Sequence, residues 1–219
     1  MEVVTYTCNT HHQEIAETCR NQLVKASPYP IVCVSLNKDP QIGDKKETVY
    51  GGRSAFTMIR QILNGLEATT SKNVFLCEAD VLYHPSHFDF IPLRDDTFYY
   101  NVNVWKQRWP ENHYVWTDNC QQVSGLCANR ELLLDFYRKK LKKMWFEGND
   151  RHYEPGHKQS VGSKKTDTWM AKYPNICIRH GKNMTRSKWK PEDFRNKKYA
   201  KGWRTAKKIE GWEGEHVRS

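Results

Sequence analysis

The sequence predicts an α/β fold, a mixed sheet with helices on both faces, followed by a basic C-terminal extension. Apolar runs of strand length, such as Ile31-Val32-Cys33-Val34 and Val74-Phe75-Leu76-Cys77, alternate with stretches of helical spacing. Strands read as continuous apolar runs when helices cover both sides of a sheet. The extension is predicted by charge. Residues 1–137 carry 12 Lys and Arg against 16 Asp and Glu, whereas residues 182–219 carry 12 against 5.

Val3-Val4-Thr5-Tyr6-Thr7-Cys8 is β-rich and stops at Asn9-Thr10, a polar pair able to cap a helix. Ile15, Cys19 and Leu23 lie four residues apart and predict a helix over Gln13 to Val24, ended by Ser27-Pro28-Tyr29-Pro30. Ile31 to Leu36 is a buried strand and Asn37 to Lys46 a polar loop. After Gly51-Gly52-Arg53-Ser54, the stripe Phe56, Ile59, Leu63 and Leu66 predicts a second helix. Asn73 to Cys77 is a third apolar strand, running into Glu78-Ala79-Asp80.

Further strands are expected over Thr97 to Trp105 and Gln121 to Ala128, then a helix from Arg130 to Phe146 capped by Asn129. In that helix Leu133, Phe136, Leu141, Met144 and Trp145 are expected to face the core, and Lys139, Lys140, Lys142 and Lys143 mostly water. Residues 147–166, with Gly148, Gly156, Ser160, Gly162 and Ser163, have loop composition. Asp167 to Tyr173 is expected as a short helix, and Asn175 to Arg179 as a last strand ending at His180-Gly181.

The chain has 219 residues and a net charge of +10, a length that fits one domain over 1–190 with an extension over 191–219. Hydrophobic residues at 38% exclude wholesale disorder. No apolar run approaches the ~18 residues of a membrane-spanning helix, and no signal-peptide pattern opens the chain, so no membrane partner and a cytoplasmic location are expected. The seven cysteines include no C-x-x-C pair and mostly sit in apolar stretches. They read as buried reduced thiols rather than zinc ligands or a disulfide framework.

Glu78 and Asp80, spaced i, i+2 just past a buried strand, point the same way along an extended chain. Such carboxylates suit Mg²⁺ or Mn²⁺, which can bridge to a diphosphate. His180 also ends a predicted strand, and imidazole joining carboxylates favours Mn²⁺ over Mg²⁺. In the tail, Trp189, Phe194, Tyr199, Trp203 and Trp212 stand among Lys188, Lys190, Lys197 and Lys198. Cations neutralise phosphates and aromatics stack on bases, which is one reading of this pattern. The other is a solvated tail whose tryptophans dock back on the body.

From Val3 to about Lys190 these features resemble the GT-A fold of nucleotide-sugar-dependent glycosyltransferases, a Rossmann-like mixed sheet. Glu78-Ala79-Asp80 stands where that fold carries its Asp-x-Asp metal motif, with Glu in place of the first Asp. Gln122-Val123-Ser124-Gly125-Leu126-Cys127-Ala128-Asn129 resembles the element bordering the acceptor site. Thr166-Asp167-Thr168-Trp169 resembles the acidic motif of the next helix, and His180 the late metal ligand. Tyr50-Gly51-Gly52-Arg53-Ser54-Ala55, the small size and the basic aromatic tail are similar to the TET-associated glycosyltransferases of bacteriophages, which glycosylate 5-hydroxymethylcytosine in DNA.

The resemblance implies that Thr7 and Asn9 meet the donor nucleoside, Arg53 its phosphates, and Glu78 and Asp80 the donor, while Asp80 and His180 hold Mn²⁺ or Mg²⁺. Asp167 is then the general base if the reaction inverts. The donor is a nucleotide sugar, UDP-glucose or UDP-N-acetylglucosamine. The acceptor is double-stranded DNA carrying 5-hydroxymethylcytosine, touched by Lys139, Lys143, Lys188, Lys190, Lys197, Lys198, Trp189 and Trp203. A phage-encoded enzyme of this kind works in the host cytoplasm. Two rivals stay open: a glycosyltransferase with a glycan or protein acceptor, and a non-catalytic basic DNA-binding module.

Overall fold

The computed structural model describes residues 1–148, 153–157 and 161–212. Its strands in chain order are β1 (Glu2–Thr7), β2 (Ile31–Leu36), β3 (Lys45–Val49), β4 (Asn73–Glu78), β5 (Val81–Leu82), β6 (Phe98–Asn101), β7 (Val104–Arg108), β8 (His113–Trp116), β9 (Leu126–Asn129), β10 (Thr166–Trp169), β11 (Asn175–Arg179) and β12 (Arg204–Ala206). The α-helices are α1 (Gln13–Ala26), α2 (Ala55–Ala68) and α3 (Arg130–Glu147).

The fold is α/β and Rossmann-like, built on a seven-stranded mixed sheet of order β10-β6-β9-β4-β1-β2-β3. β1 pairs in parallel with β2 and β4, β2 with β3, and β6 with β10, while β9 runs antiparallel to β4 and β6. Around β1 the order is therefore 3-2-1-4, which reverses direction between β1 and β4, the switch point outside which such sheets bind ligands. A smaller sheet of order β12-β8-β7-β11-β5 stands beside it.

Alternation along the central strands explains why both faces are covered. Val4, Val32, Val34, Val74 and Leu76 pack with α2 and α3 through Ile59, Ile62, Leu66, Leu133 and Phe136. Val3, Ile31, Phe75 and Cys77 point the opposite way, toward Leu23 and Ala26 of α1 and Val81, Val104 and Cys177 of the smaller sheet. Ser54 begins α2 by accepting the Thr57 N–H at 3.1 Å, and Asn129 begins α3 by accepting the Glu131 N–H at 2.9 Å.

Several elements depart from expectation. The loop over 37–46 gives way to an edge strand, β3, whose Lys-Lys-Glu-Thr sequence hides it. The strand expected over Thr97 to Trp105 is two strands in different sheets, broken at Val102-Asn103. Asp167 to Tyr173 is not a short helix: Thr166–Trp169 is β10, an exposed edge strand paired with β6. In α3, Lys140 is fully buried although it was expected to face water, and Trp145 is 73% exposed although it was expected to face the core. Of the loop 147–166, residues 149–152 and 158–160, including Ser160, lie outside the described residues. All seven cysteines are free thiols, and among the described residues no helix is long and apolar enough to cross a membrane.

Gly65 lets α2 lie close on the sheet: a Cβ there would sit 2.5 Å from Val4 Cγ1 and 3.0 Å from Val34 Cγ2. Gly65→Ala therefore overpacks the interface, at about 1–3 kcal/mol, against up to about 1 kcal/mol returned by helix propensity. Urea unfolding should show net destabilisation, and an unchanged midpoint would mean that the helix shifts freely on β1.

Candidate functional site

A cleft of about 380 Å³ opens at the carboxyl ends of β1 and β4, at the switch point. Tyr6 and Cys8 from β1 and Glu78, Ala79 and Asp80 from β4 form its floor. Arg53, Ser54 and Thr57 at the start of α2 form one wall, and Cys120 to Val123 with Tyr153 and Glu154 line another part. Residues 182–188, the loop after β11, reach over it with Phe194. Six Lys or Arg side chains line the cleft, from Arg53, Lys106, Arg179, Lys182, Arg186 and Lys188. They outnumber the carboxylates Glu78, Asp80 and Glu154, so the cleft suits an anionic ligand.

His11 and Asp80 of the lining meet His180, which does not itself line the cleft, and the three are potential cation ligands whose ligand atoms lie within 4.8 Å of one another. His180 Nε2 is 3.5 Å from Asp80 Oδ2, its ring fully buried and the Asp80 side chain 15% exposed. The turn after β11 makes this meeting possible. Asn183 Nδ2 donates to Asp80 Oδ2 at 2.8 Å, and Asn183 Oδ1 accepts the His180 N–H at 2.6 Å. Ile178 N–H also donates to the Asp80 carbonyl at 2.9 Å.

Burial alone would raise the Asp80 carboxyl, but the hydrogen bond from His180 and the neighbouring His11, His180 and Arg179 hold it below the ordinary carboxylate value. Glu78 behaves oppositely. Burial, then the Asp80 charge, push it up to about 7 against the hydrogen bond from Tyr6 Oη at 2.9 Å. Burial pulls the His11 imidazole below its ordinary value, ahead of the opposing pull of Asp80. His11 is thus held neutral, the form that ligates metal.

The donor set fits a divalent cation. His11 Nδ1 is buried without a hydrogen-bond partner among the described residues, a costly condition unless an ion or water meets it, and His180 Nε2 faces only Asp80 Oδ2, at 3.5 Å. Two imidazoles and one carboxylate favour Mn²⁺ over Mg²⁺ and also suit Zn²⁺. His180 Nδ1 accepts the Lys182 N–H at 3.2 Å. That contact leaves the ring proton on Nε2, facing Asp80, so His180 would have to give up the contact to hold a cation there.

Sequence reasoning named Asp80 and His180, and the structure brings them together. It named Glu78 and Arg53, and both line the cleft, Arg53 donating across the mouth to the Lys182 carbonyl. His11 went unnoticed; its only sequence signal is a position just past β1, at the same sheet end as Asp80. Thr7 and Asn9 do not line this cleft. They face a cavity of about 30 Å³ beside it, where Asn9, at φ 57°, donates to Ser35 Oγ and the Leu36 carbonyl, both at 2.7 Å. Asp167 is not among the cleft residues either, and its exposed carboxylate pairs with Arg94 at 3.2 Å.

Of the expected DNA contacts, Lys188 lines the cleft, its Nζ 4.3 Å from the Phe194 ring centre. Lys139 and Lys143 are on α3, paired with Asp135 at 2.8 Å and Glu147 at 3.9 Å. Lys190 caps a 3₁₀ turn over Pro191–Asp193, Lys197 donates to the Pro191 carbonyl, and Lys198 lies 4.9 Å over Tyr199. Trp189 is half-buried beside Arg108, and Trp203 is half-buried edge-on to Phe194. Trp212 is buried and donates to the Pro174 carbonyl at 2.7 Å. Trp189 and Trp212 thus dock back on the body and Trp203 packs within the tail, while most of its lysines stay in solvent.

No protein-family profile matches the sequence, and no curated protein is similar to it. Among solved structures, a nucleotidyl transferase from Methanothermobacter thermautotroptrophicus is similar at 11% identity and a TM-score of 0.41, over 74% of this chain and 92% of that one. The inositol-1-phosphate CTP transferase from T. maritima is similar at 10% identity and a TM-score of 0.36, over 81% and 84%.

Cation binding tests the centre directly. His11→Ala and His180→Ala should each weaken Mn²⁺ binding about tenfold or more, read from the free Mn²⁺ signal in electron paramagnetic resonance. Full affinity in His11→Ala would leave the ion to Asp80 and His180 alone.

Proposed function

We propose that the protein is a cation-dependent glycosyltransferase, moving a sugar from a nucleotide sugar to the hydroxymethyl group of 5-hydroxymethylcytosine in DNA. The observation that carries this reading is the convergence of His11, Asp80 and His180 at the switch point, the first two lining a cleft rich in cations. The sequence resemblance supplies the sugar and the acceptor, with UDP-glucose or UDP-N-acetylglucosamine as donor.

His11, Asp80 and His180 hold the cation, which when bound offsets the charge of the departing diphosphate. Arg53 and Lys182 face the same anion from the cleft mouth, and the positive end of α2 at Ser54 points to it as well. The roof loop keeps water from the donor, held in place by Arg179, which donates to Ser187 Oγ at 3.0 Å and to the Thr185 carbonyl at 2.6 Å. The acceptor hydroxyl must lose a proton. We assign the base of an inverting transfer to Glu154, a carboxylate that lines the cleft, in place of Asp167, which does not.

Incubation with 5-hydroxymethylcytosine DNA, a panel of nucleotide sugars and Mn²⁺, read by nucleoside mass spectrometry, tests the reading. A hexose or N-acetylhexosamine adduct with release of nucleoside diphosphate supports it. Release of pyrophosphate identifies nucleotidyl transfer instead, and no adduct with any donor sinks the proposal. Asp80→Ala should abolish transfer, and Glu154→Gln should lower kcat about 10²- to 10⁴-fold, the usual worth of a general base. Asp167→Asn should stay within about twofold; a loss as large as that of Glu154→Gln would return the role to Asp167.

A further inference from the structure

We infer that the acceptor is engaged as an unpaired nucleotide, with its flanking strand lying in a second basin beside the cleft. The inference rests on the proposed function and specifies the form in which that acceptor is taken. The second basin has a volume of about 410 Å³ and is lined by Arg186, Lys188, Asp193, Arg195, Asn196 and Tyr199. Arg186 and Lys188 line both spaces, so a ligand leaving the cleft on that side meets the basin next.

The basin has the chemistry of a nucleotide backbone site. Three cations face one carboxylate, and that carboxylate is already engaged: Asp193 Oδ2 accepts the Trp189 N–H at 2.8 Å and the Lys190 N–H at 3.2 Å. None of Arg186, Lys188 and Arg195 forms a salt bridge with the described residues. Tyr199 is 59% exposed at the rim. Positive groups that follow a backbone, with an exposed ring on which a base can stack, are the two parts of a single-strand site.

The depth of the cation centre argues against a closed duplex. His180 has a fully buried ring, and the loop 182–188 above it is tied down from three sides: by Asn183 to Asp80, by Arg179 to Ser187, and by Arg53 to the Lys182 carbonyl. A 5-hydroxymethyl group on a paired base stays at the edge of the major groove, away from a cation group this deeply buried. An unpaired base can swing into the cleft. Enzymes that modify bases out of reach in a duplex act on single strands or extrude the target.

The test compares initial rates of the full chain, with nucleotide sugar and Mn²⁺, on one oligonucleotide carrying a single 5-hydroxymethylcytosine. It is offered as a single strand, as a fully paired duplex, and as a duplex with a mismatch at the target. The single strand and the mismatch should react about tenfold faster than the paired duplex, because unpairing has been done in advance. Equal or faster reaction of the paired duplex overturns the inference. Arg195→Ala and Tyr199→Ala should each raise KM for the single strand about five- to twentyfold, and leave KM for the nucleotide sugar within about twofold. An unchanged single-strand KM in both variants removes the basin.

A binding arm separates this inference from the proposed reaction. Fluorescence anisotropy with unmodified single-stranded and duplex DNA of equal length, at several salt concentrations, needs no transfer. Tighter single-strand binding is expected, with the salt slope reduced by about 0.7 in Arg195→Ala for the one lost phosphate contact. Equal affinities, or a slope unmoved by Arg195→Ala, overturn the inference whether or not sugar transfer occurs. Absence of transfer with the single-strand preference intact overturns the proposed reaction alone.

Discussion

The architecture of the cleft depends on the attachment of Asp80 to the end of β11. Its carbonyl accepts the Ile178 N–H at 2.9 Å, and its carboxylate accepts from Asn183 at 2.8 Å and faces His180 at 3.5 Å. Residues about a hundred positions apart are thereby joined across the two sheets. Together with the pairing of β5 to β11, this attachment sets the end of β4 against the loop 182–188. A carboxylate suits the task because it accepts several hydrogen bonds at once and stays charged when donors surround it.

A second bond supports the same strand from beneath. Tyr83 Oη accepts the Glu78 N–H at 2.8 Å and donates to the Ser124 carbonyl at 2.9 Å. The exit of β4 is thus tied both to β11 and to the turn before β9, which lies on another side of the cleft. The apolar remainder of β4, Val74 to Cys77, is buried on both faces and cannot move independently. A rigid strand ending in two polar anchors presents Glu78 and Asp80 to the cleft, while the loop beside them is held largely by side-chain hydrogen bonds.

The legible parts of the sequence were those with a strong period. β1, α1, β2, α2, β4, α3 and β11 each carry an apolar run or stripe that fixes type and approximate limits. β3 and β10 do not: they are edge strands of polar residues, paired on one side, and their sequences read as loop and helix. The same limitation applies to sites. Asp80 and His180 stand at the ends of two recognisable strands, so their sheet end could be inferred. His11 sits in a turn between β1 and α1, where no periodicity says which way a side chain points. Asp167 resembled a motif in sequence, yet it stands on an edge strand where Arg94 meets it. Lys140 shows the limit of charge reasoning, since a lysine in a basic run of α3 is fully buried.

The protonation pattern of the floor suits a divalent cation. Two carboxylates two residues apart in a partly dry space repel each other, and the chain resolves this by treating them differently. Asp80 is held ionised by hydrogen-bond donors and imidazoles, and Glu78 is pushed up to about 7 with a tyrosine hydroxyl for company. A divalent ion held by His11, Asp80 and His180 would raise the electrostatic potential at both carboxylates and so favour their ionised forms. The six cations on the surrounding walls would then keep their charge for a phosphate-bearing ligand.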